Sequence, residues 1–388
     1  MTIAVAAVIA SCSSTPIATE PAPGAALPPA RAASSAPAAT PPRDDLASAT
    51  LERPRGRWVA ASWTDLPDWA GDRLPEFWPV FLRSCERPTP AWLDACAKAR
   101  LSGFGPQADD AAVRAWLQRQ LRPYRVESSE RDPAGLATGY FEPLVEASRV
   151  ARAGFRIPLY APPPDLPTRK PYWTRHQIET LPAAQRSLRG HEIAWLRDPL
   201  DALMLQIQGS GRLALAPERG GAVRTVRVAY AGHNDQPYVS IGRWLIDQGE
   251  LRTGEASWPA IRAWARAHPA RVDEMVRANP RVVFFREEAL PDPSIGPKGA
   301  QGVPLTPGRS IAVDPLSVPY GTPVWLDTTE PLSTRPLRRL AVAQDTGSAI
   351  VGAVRADYFW GWGDDAEAQA GRMKQALRMW VLWPAQAH

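Results

Sequence analysis

Between Leu340 and Gly363 the chain alternates short apolar runs with glycine-marked turns, a punctuation that favours short strands over helices. Leu340-Ala341-Val342-Ala343 reads as a buried strand that ends at Asp345. Thr346-Gly347-Ser348 makes a turn, with Gly supplying backbone freedom and Thr and Ser supplying local hydrogen bonds. Ala349-Ile350-Val351 is a second apolar run, broken by Gly352. Asp357 follows, among Tyr358, Phe359, Trp360 and Trp362. A carboxyl among aromatic side chains is partly desolvated, which raises its pKa and suits it to general-acid work. Asp345 and Asp357 fit equally well as turn caps among core aromatics, and residue types alone leave both readings open.

The same rhythm of short strands extends upstream to Pro133. Residues 135–147 and 155–160 alternate loosely, and 193–196, 203–208, 212–215, 223–231 and 282–285 all read as strands. Residues 64–122 carry helical spacing, with Asp65 and Asp68 as caps and Ala112, Val113, Trp116 and Leu117 on one face. Further helices are predicted at 241–248, 258–267 and 271–278, and the tail at 366–383 begins as a helix and ends as a strand. Many short strands, helices at one end and no βαβ rhythm predict a mainly β, α+β fold: a barrel with appended helices.

The N-terminus is of a different kind. Residues 3–10 are apolar but too few to span a bilayer. They lead into Ile9-Ala10-Ser11-Cys12, which resembles a bacterial lipoprotein processing signal with Cys12 as the lipidated residue, although no Lys or Arg precedes the run. Ser13 after that Cys points to the periplasmic face of the outer membrane. Residues 13–56 are rich in Ala, Pro, Ser and Thr and read as a disordered tether. Export makes a Cys85–Cys96 disulfide plausible, with two unpaired core thiols as the alternative.

Several chemistries find no support. The five His, at 176, 191, 233, 268 and 388, show no metal-ligand spacing. There is no P-loop or dinucleotide fingerprint, so no cofactor is expected. Gly209-Ser210-Gly211 lacks the flanks of a nucleophile elbow. The net charge of +5 is spread along the chain, which suits an anionic polymer and is no nucleic-acid footprint. Carboxylates and aromatics remain, and 16 Trp suit either sugar stacking or core packing.

Six blocks, in order, resemble the membrane-bound lytic murein transglycosylase A family. They are Thr138-Gly139-Tyr140-Phe141-Glu142-Pro143, Gln208-Gly209-Ser210-Gly211, Tyr230-Ala231-Gly232-His233-Asn234, Ala312-Val313-Asp314-Pro315, Ala343-Gln344-Asp345-Thr346-Gly347 and Arg355-Ala356-Asp357-Tyr358-Phe359. The last three carry the aspartates after which the C-terminal 3D domain is named. The resemblance spans about residues 60–384 and departs locally at Ser348, where the family usually shows Gly.

The resemblance implies a double-psi β-barrel built from residues 57–143 and 236–388, with the 3D segment at about 296–383. It implies a second small β-barrel inserted at 144–235 and a glycan-binding groove between the two. It implies cleavage of the bond between N-acetylmuramic acid and N-acetylglucosamine in peptidoglycan, leaving a 1,6-anhydro end. The sugar's own 6-hydroxyl is then the nucleophile, so a single carboxyl serves as acid and then base, whereas ordinary glycosidases use two. By this resemblance Asp357 is the acid, Asp345 a neighbour that orients it, and Asp314 structural. Thr138 is a groove residue, and Gln208, Ser210 and Tyr230 are weaker saccharide-binding candidates. A non-catalytic peptidoglycan-binding barrel, a hydrolase using both Asp345 and Asp357, and a membrane-tethered adaptor that recruits wall enzymes are the competing readings.

Overall fold

The computed structural model describes residues 50–217 and 222–385. Cys12, the segment before it and the tether up to residue 49 lie outside the described residues. The end of the stretch read as tether is ordered: β1 (Thr50–Arg53) pairs antiparallel with β2 (Gly56–Ala60). Gly56, at φ 141, permits the close turn, since a Cβ there would sit 2.5 Å from the Glu127 carbonyl oxygen.

A helical cap follows, of α1 (Leu74–Ser84), α2 (Leu93–Leu101) and α3 (Asp110–Gln120). Asp109 caps α3 by accepting from the Ala112 amide at 2.9 Å. Trp78, Phe81, Trp92 and Trp116 meet edge-on in its core. Cys85 and Cys96 form a disulfide between α1 and α2.

The barrel uses β3 (Leu121–Glu127) and β4 (Gly135–Glu142), then, after a long excursion, β11 (Ser310–Val313), β12 (Pro323–Thr329), β13 (Pro336–Asp345), β14 (Arg355–Trp362) and β15 (Lys374–Pro384). The sheet order is β1-β2-β3-β15-β12-β13-β11-β14-β4, and β15 also pairs with β4. That extra pairing closes a ring, β15-β12-β13-β11-β14-β4, which leaves those six strands without a free edge. The β11–β13 and β14–β4 pairs are parallel and the rest of the ring is antiparallel. Ile311, Val313, Ala341, Ala343, Ala356 and Tyr358 fill the barrel interior.

The excursion forms a second sheet. Its strands are β5 (Leu144–Ser148), β6 (Ile157–Tyr160), β7 (Glu192–Leu196), β8 (Ser210–Leu215), β9 (Arg224–His233) and β10 (Val283–Glu288), in the order β10-β9-β8-β5-β7-β6. This sheet runs past residue 235, because β10 pairs with the otherwise free edge of β9. Among the described pairings its outer strands β6 and β10 are not bonded to each other, so the ladder is open. Helices α4 (Arg175–Thr180), α5 (Pro182–Leu188), α6 (Pro199–Gln208), α7 (Ile241–Asp247), α8 (Trp258–Ala267) and α9 (Val272–Arg277) pack around it, and α10 (Asp364–Ala370) lies against the barrel.

One strand expectation fails. Residues 203–208 lie in α6. Asp198 caps that helix by accepting from the Leu200 amide at 2.8 Å, Pro199 opens it, and Gly209 at φ 75 closes it. The run is largely apolar because most of α6 is buried, and over six residues periodicity cannot separate that from a buried strand.

Both chain crossings between the sheets meet at one buried cluster. Glu142, 0% exposed, ends β4 just before Pro143 and β5. It accepts from Arg212 Nε at 2.8 Å and Arg227 Nε at 2.5 Å. Arg212 also donates to the carbonyls of Pro293 and Ile295, on the returning segment, at 2.7 and 3.2 Å.

Candidate active site

The β-register brings the site together as a row across the barrel wall. Asp345 on β13 pairs with Ala312 on β11, Ala312 with Asp357 on β14, and Asp357 with Thr138 on β4. Lys374 on β15 lies opposite Thr138 and is exposed. Residues in register share a face, so both carboxyls point outward from the barrel on either side of one small residue. Their Cα atoms are two strand spacings apart, roughly 9.6 Å. Tyr140 and Phe359, two residues beyond Thr138 and Asp357, share that face with Leu305 and Ile350.

A bulge sets the row. Ile311 pairs with Ala343, but Ala312 pairs with Asp345, so Gln344 is skipped. Without that shift Gln344 would face the site and Asp345 would point the other way. Instead Gln344 turns toward the helical cap, where its Oε1 accepts from Ser310 Oγ at 2.5 Å and its Nε2 donates to Ser84 Oγ at 2.8 Å.

The two carboxyls are both fully buried but differently held. Asp345 Oδ1 accepts from the Ala300 amide at 2.9 Å, and Oδ2 from the Tyr140 hydroxyl at 3.1 Å. Burial pushes its pKa up to about 7; the Thr346 and Ala300 amides and Tyr140 pull it down, while the nearby Asp357 adds to the rise. Asp357 Oδ1 accepts from the Thr138 hydroxyl, and Oδ2 has no hydrogen-bond partner. Burial pushes Asp357 up to about 6, against the opposing pull of the Arg355 guanidinium and Thr138. Tyr140 is raised well above its ordinary value by burial and by the two carboxylates.

The remaining sequence candidates fall elsewhere. Asp314 accepts from the Leu316 amide at 3.0 Å and the Gly352 amide at 2.9 Å, tying two loops together. Gln208 is buried at the end of α6 and accepts from the Phe141 amide at 3.4 Å. Ser210 is buried at the start of β8, opposite Ala229. Tyr230 bonds His233 Nδ1 at 2.6 Å. Of the aromatics that follow Asp357 in sequence, Tyr358 and Phe359 are core side chains, as the core-aromatic reading has them. Trp362 is half-buried, with the Arg212 guanidinium 4.0 Å from its ring centroid. A cavity of about 860 Å³ lies by β1, α2 and Trp383 and touches none of the row. Among the described residues no cluster of His, Cys, Asp or Glu is placed to hold a metal ion.

Sequence reading passed over Tyr140 and Arg355. Strand parity was the available signal, since each lies two residues from a singled-out residue and so shares its face.

Relatives with this architecture are known. The profile of the MltA specific insert domain matches residues 136–286, and that of the 3D domain matches 309–383. The chain is 31% identical over 288 residues to the membrane-bound lytic murein transglycosylase A of Escherichia coli K12, spanning 70% of this chain and 74% of that one. The chain belongs to the membrane-bound lytic murein transglycosylase A family. Among solved structures of similar proteins, the lytic transglycosylase LtgG of Burkholderia pseudomallei is 44% identical, with 86% of this chain and 97% of that one covered and a TM-score of 0.60. MltA of Neisseria gonorrhoeae is 30% identical, covered at 89% and 97%, with a TM-score of 0.75. The Escherichia coli member with bound chitohexaose is 25% identical, covered at 87% and 94%, with a TM-score of 0.63. The insert profile runs from β4 of the barrel through β10 and so takes in the second sheet, and the 3D profile holds β11 to β15 of the barrel.

Proposed function

We propose that this protein is a peptidoglycan lytic transglycosylase. It cleaves the β-1,4 bond between N-acetylmuramic acid and N-acetylglucosamine and leaves a 1,6-anhydro end. One observation carries the reading. Asp357 is a wholly buried carboxyl with one oxygen held by Thr138 and the other unengaged. Burial keeps such a carboxyl protonated nearer neutral pH, and its free oxygen is the one able to hand over a proton. Asp357 protonates the leaving glycosidic oxygen. The resulting carboxylate then takes the proton of the 6-hydroxyl as that oxygen bonds to the anomeric carbon. Protons balance, and no water is consumed.

Asp345 is the less suited acid, although burial raises it further. Both of its oxygens already accept hydrogen bonds, so no bare oxygen is left to face a sugar. Its part is to hold Tyr140 and the Ala300 loop beside the acid. Asp357 has no solvent-exposed surface, so productive binding of a glycan displaces the side chains that cover it. The names of the relatives, and the chitohexaose bound to one of them, support a glycan strand as the partner. The closed six-stranded ring with two parallel pairs supports a double-psi barrel. Cys12 and the Pro-rich stretch after it support a lipid anchor and tether at the outer membrane.

The two-carboxylate hydrolase is the reading to separate from this one, because both aspartates share one face. Digestion of purified peptidoglycan in ¹⁸O-water separates them. The proposal expects no label in the new sugar ends, and label at those ends would overturn it.

A further inference from the structure

Arg355 has no part in the reaction as written, yet it is 7% exposed and two residues from Asp357 on the same strand face. Its hydrogen bonds go to a hydroxyl and two carbonyls, and to no carboxylate. Nη1 donates to the carbonyls of Ala356 at 2.7 Å and Leu136 at 3.3 Å. Nη2 donates to Thr138 Oγ1 at 2.8 Å. The backbone carbonyls of two adjacent strands thus hold the guanidinium still and aim its other nitrogen at Thr138.

A guanidinium has donors and no acceptor, and a hydroxyl has a single hydrogen. Thr138 Oγ1 therefore accepts from Arg355, and its own hydrogen is left for Asp357 Oδ1. Oδ1 is thereby an acceptor, and in the neutral acid the proton sits on Oδ2, the oxygen without a protein partner. We infer that Arg355 is a positioning residue that acts through the Thr138 hydroxyl to fix the Asp357 proton on Oδ2, the oxygen that meets the glycosidic bond.

This rests on the reading of Asp357 as the acid. The proton leaves Oδ2 for the glycosidic oxygen and Oδ2 later takes one from the 6-hydroxyl, while the hydrogens of Thr138 and Arg355 stay in place. In the carboxylate form the same chain delivers a hydrogen bond and a nearby positive charge to Oδ1, which stabilises the anion between the two half-reactions. The other groups facing Asp357 are Asp345 across Ala312, the Tyr140 hydroxyl and the exposed Lys374; only Arg355 reaches Thr138. The guanidinium also opposes the upward push of burial on Asp357.

The test is the pH dependence of kcat on peptidoglycan for wild type, Arg355→Met, Arg355→Lys, Thr138→Val, the Arg355→Met/Thr138→Val pair and Asp357→Asn. Arg355→Met is expected to lower the plateau kcat roughly 10- to 100-fold: a proton shared between two oxygens accounts for about twofold, and the rest comes from the lost hold on the Thr138 hydroxyl and the lost charge that stabilises the carboxylate. It is also expected to move the alkaline limb, where the acid is lost, up by about one pH unit. Arg355→Lys keeps one charged donor and recovers part of both effects. The pair is expected to be no worse than the poorer single variant, because both act on one hydrogen bond. A folded Arg355→Met with the wild-type limb and plateau overturns the inference, as does an additive pair. Should Arg355→Met fail to fold, an unmoved limb in both Arg355→Lys and Thr138→Val overturns it equally. Activity retained in Asp357→Asn would instead sink the reading of the acid itself.

Discussion

Asp357→Asn changes a proton for an amide with little change of shape, and so isolates the energetic cost of burying this carboxylate. The ordinary value of the group is 3.8 and burial raises it to about 6. Between those values the folded protein keeps a proton that the unfolded chain has released, so stability falls as pH rises through this window and is level above it. Two pH units at about 1.4 kcal/mol each give about 3 kcal/mol. Asparagine does not titrate. The stability of Asp357→Asn relative to wild type should therefore increase by about 3 kcal/mol between pH 4 and pH 7. For a chain of this size that is roughly a 4 °C widening in melting temperature. Urea unfolding and thermal melts at pH 4, 5, 6 and 7 measure it directly. Asp345 titrates in both proteins, so its contribution largely cancels. A difference that stays constant across that range would refute the claim that burial raises Asp357.

Other positions carry further expectations. Glu142→Gln leaves Arg212 and Arg227 buried without their carboxylate, and urea unfolding should show a loss of about 3–5 kcal/mol. Tyr140→Phe removes one donor from Asp345 and should cost about 1 kcal/mol in stability at pH 8, with kcat lowered more than KM is raised. Cys85→Ser with Cys96→Ser opens a loop of sequence separation 11, and should cost about 3 kcal/mol in denaturant without altering the kcat pH profile.

How far the sequence reveals this site depends on the residue. Asp357 was legible because a carboxyl inside an apolar, aromatic stretch announces burial. The physical cause differs in part: Tyr358 fills the barrel interior, while Phe359 packs with Tyr140, Leu305 and Ile350 on the face that carries Asp357, so core packing desolvates the carboxyl. Asp345 was legible as a residue but not as a neighbour. The bulge at Ile311 and Ala312 decides whether it or Gln344 shares the face of Asp357, and bulges leave no signal in a run such as Ala341-Val342-Ala343-Gln344. The α6 strand expectation failed where a short, largely apolar run hid its period, although Asp198, Pro199 and Gly209 bracketed a helix in plain view. The closed ring also could not be read, because β4 meets β14 across more than two hundred residues. Gln208 and Ser210 flank the Gly209 between α6 and β8, and Tyr230 lies within β9; the polar, glycine-marked sequence around them serves strand and helix ends as readily as ligands.

The central claim is that one carboxyl, Asp357, makes an anhydro product. Mass spectrometry of the muropeptides released from purified peptidoglycan by wild type and by Asp357→Asn tests it most directly. The account predicts anhydro-muropeptides from wild type and none from the folded variant. Products one water heavier, or undiminished release by Asp357→Asn, would contradict it.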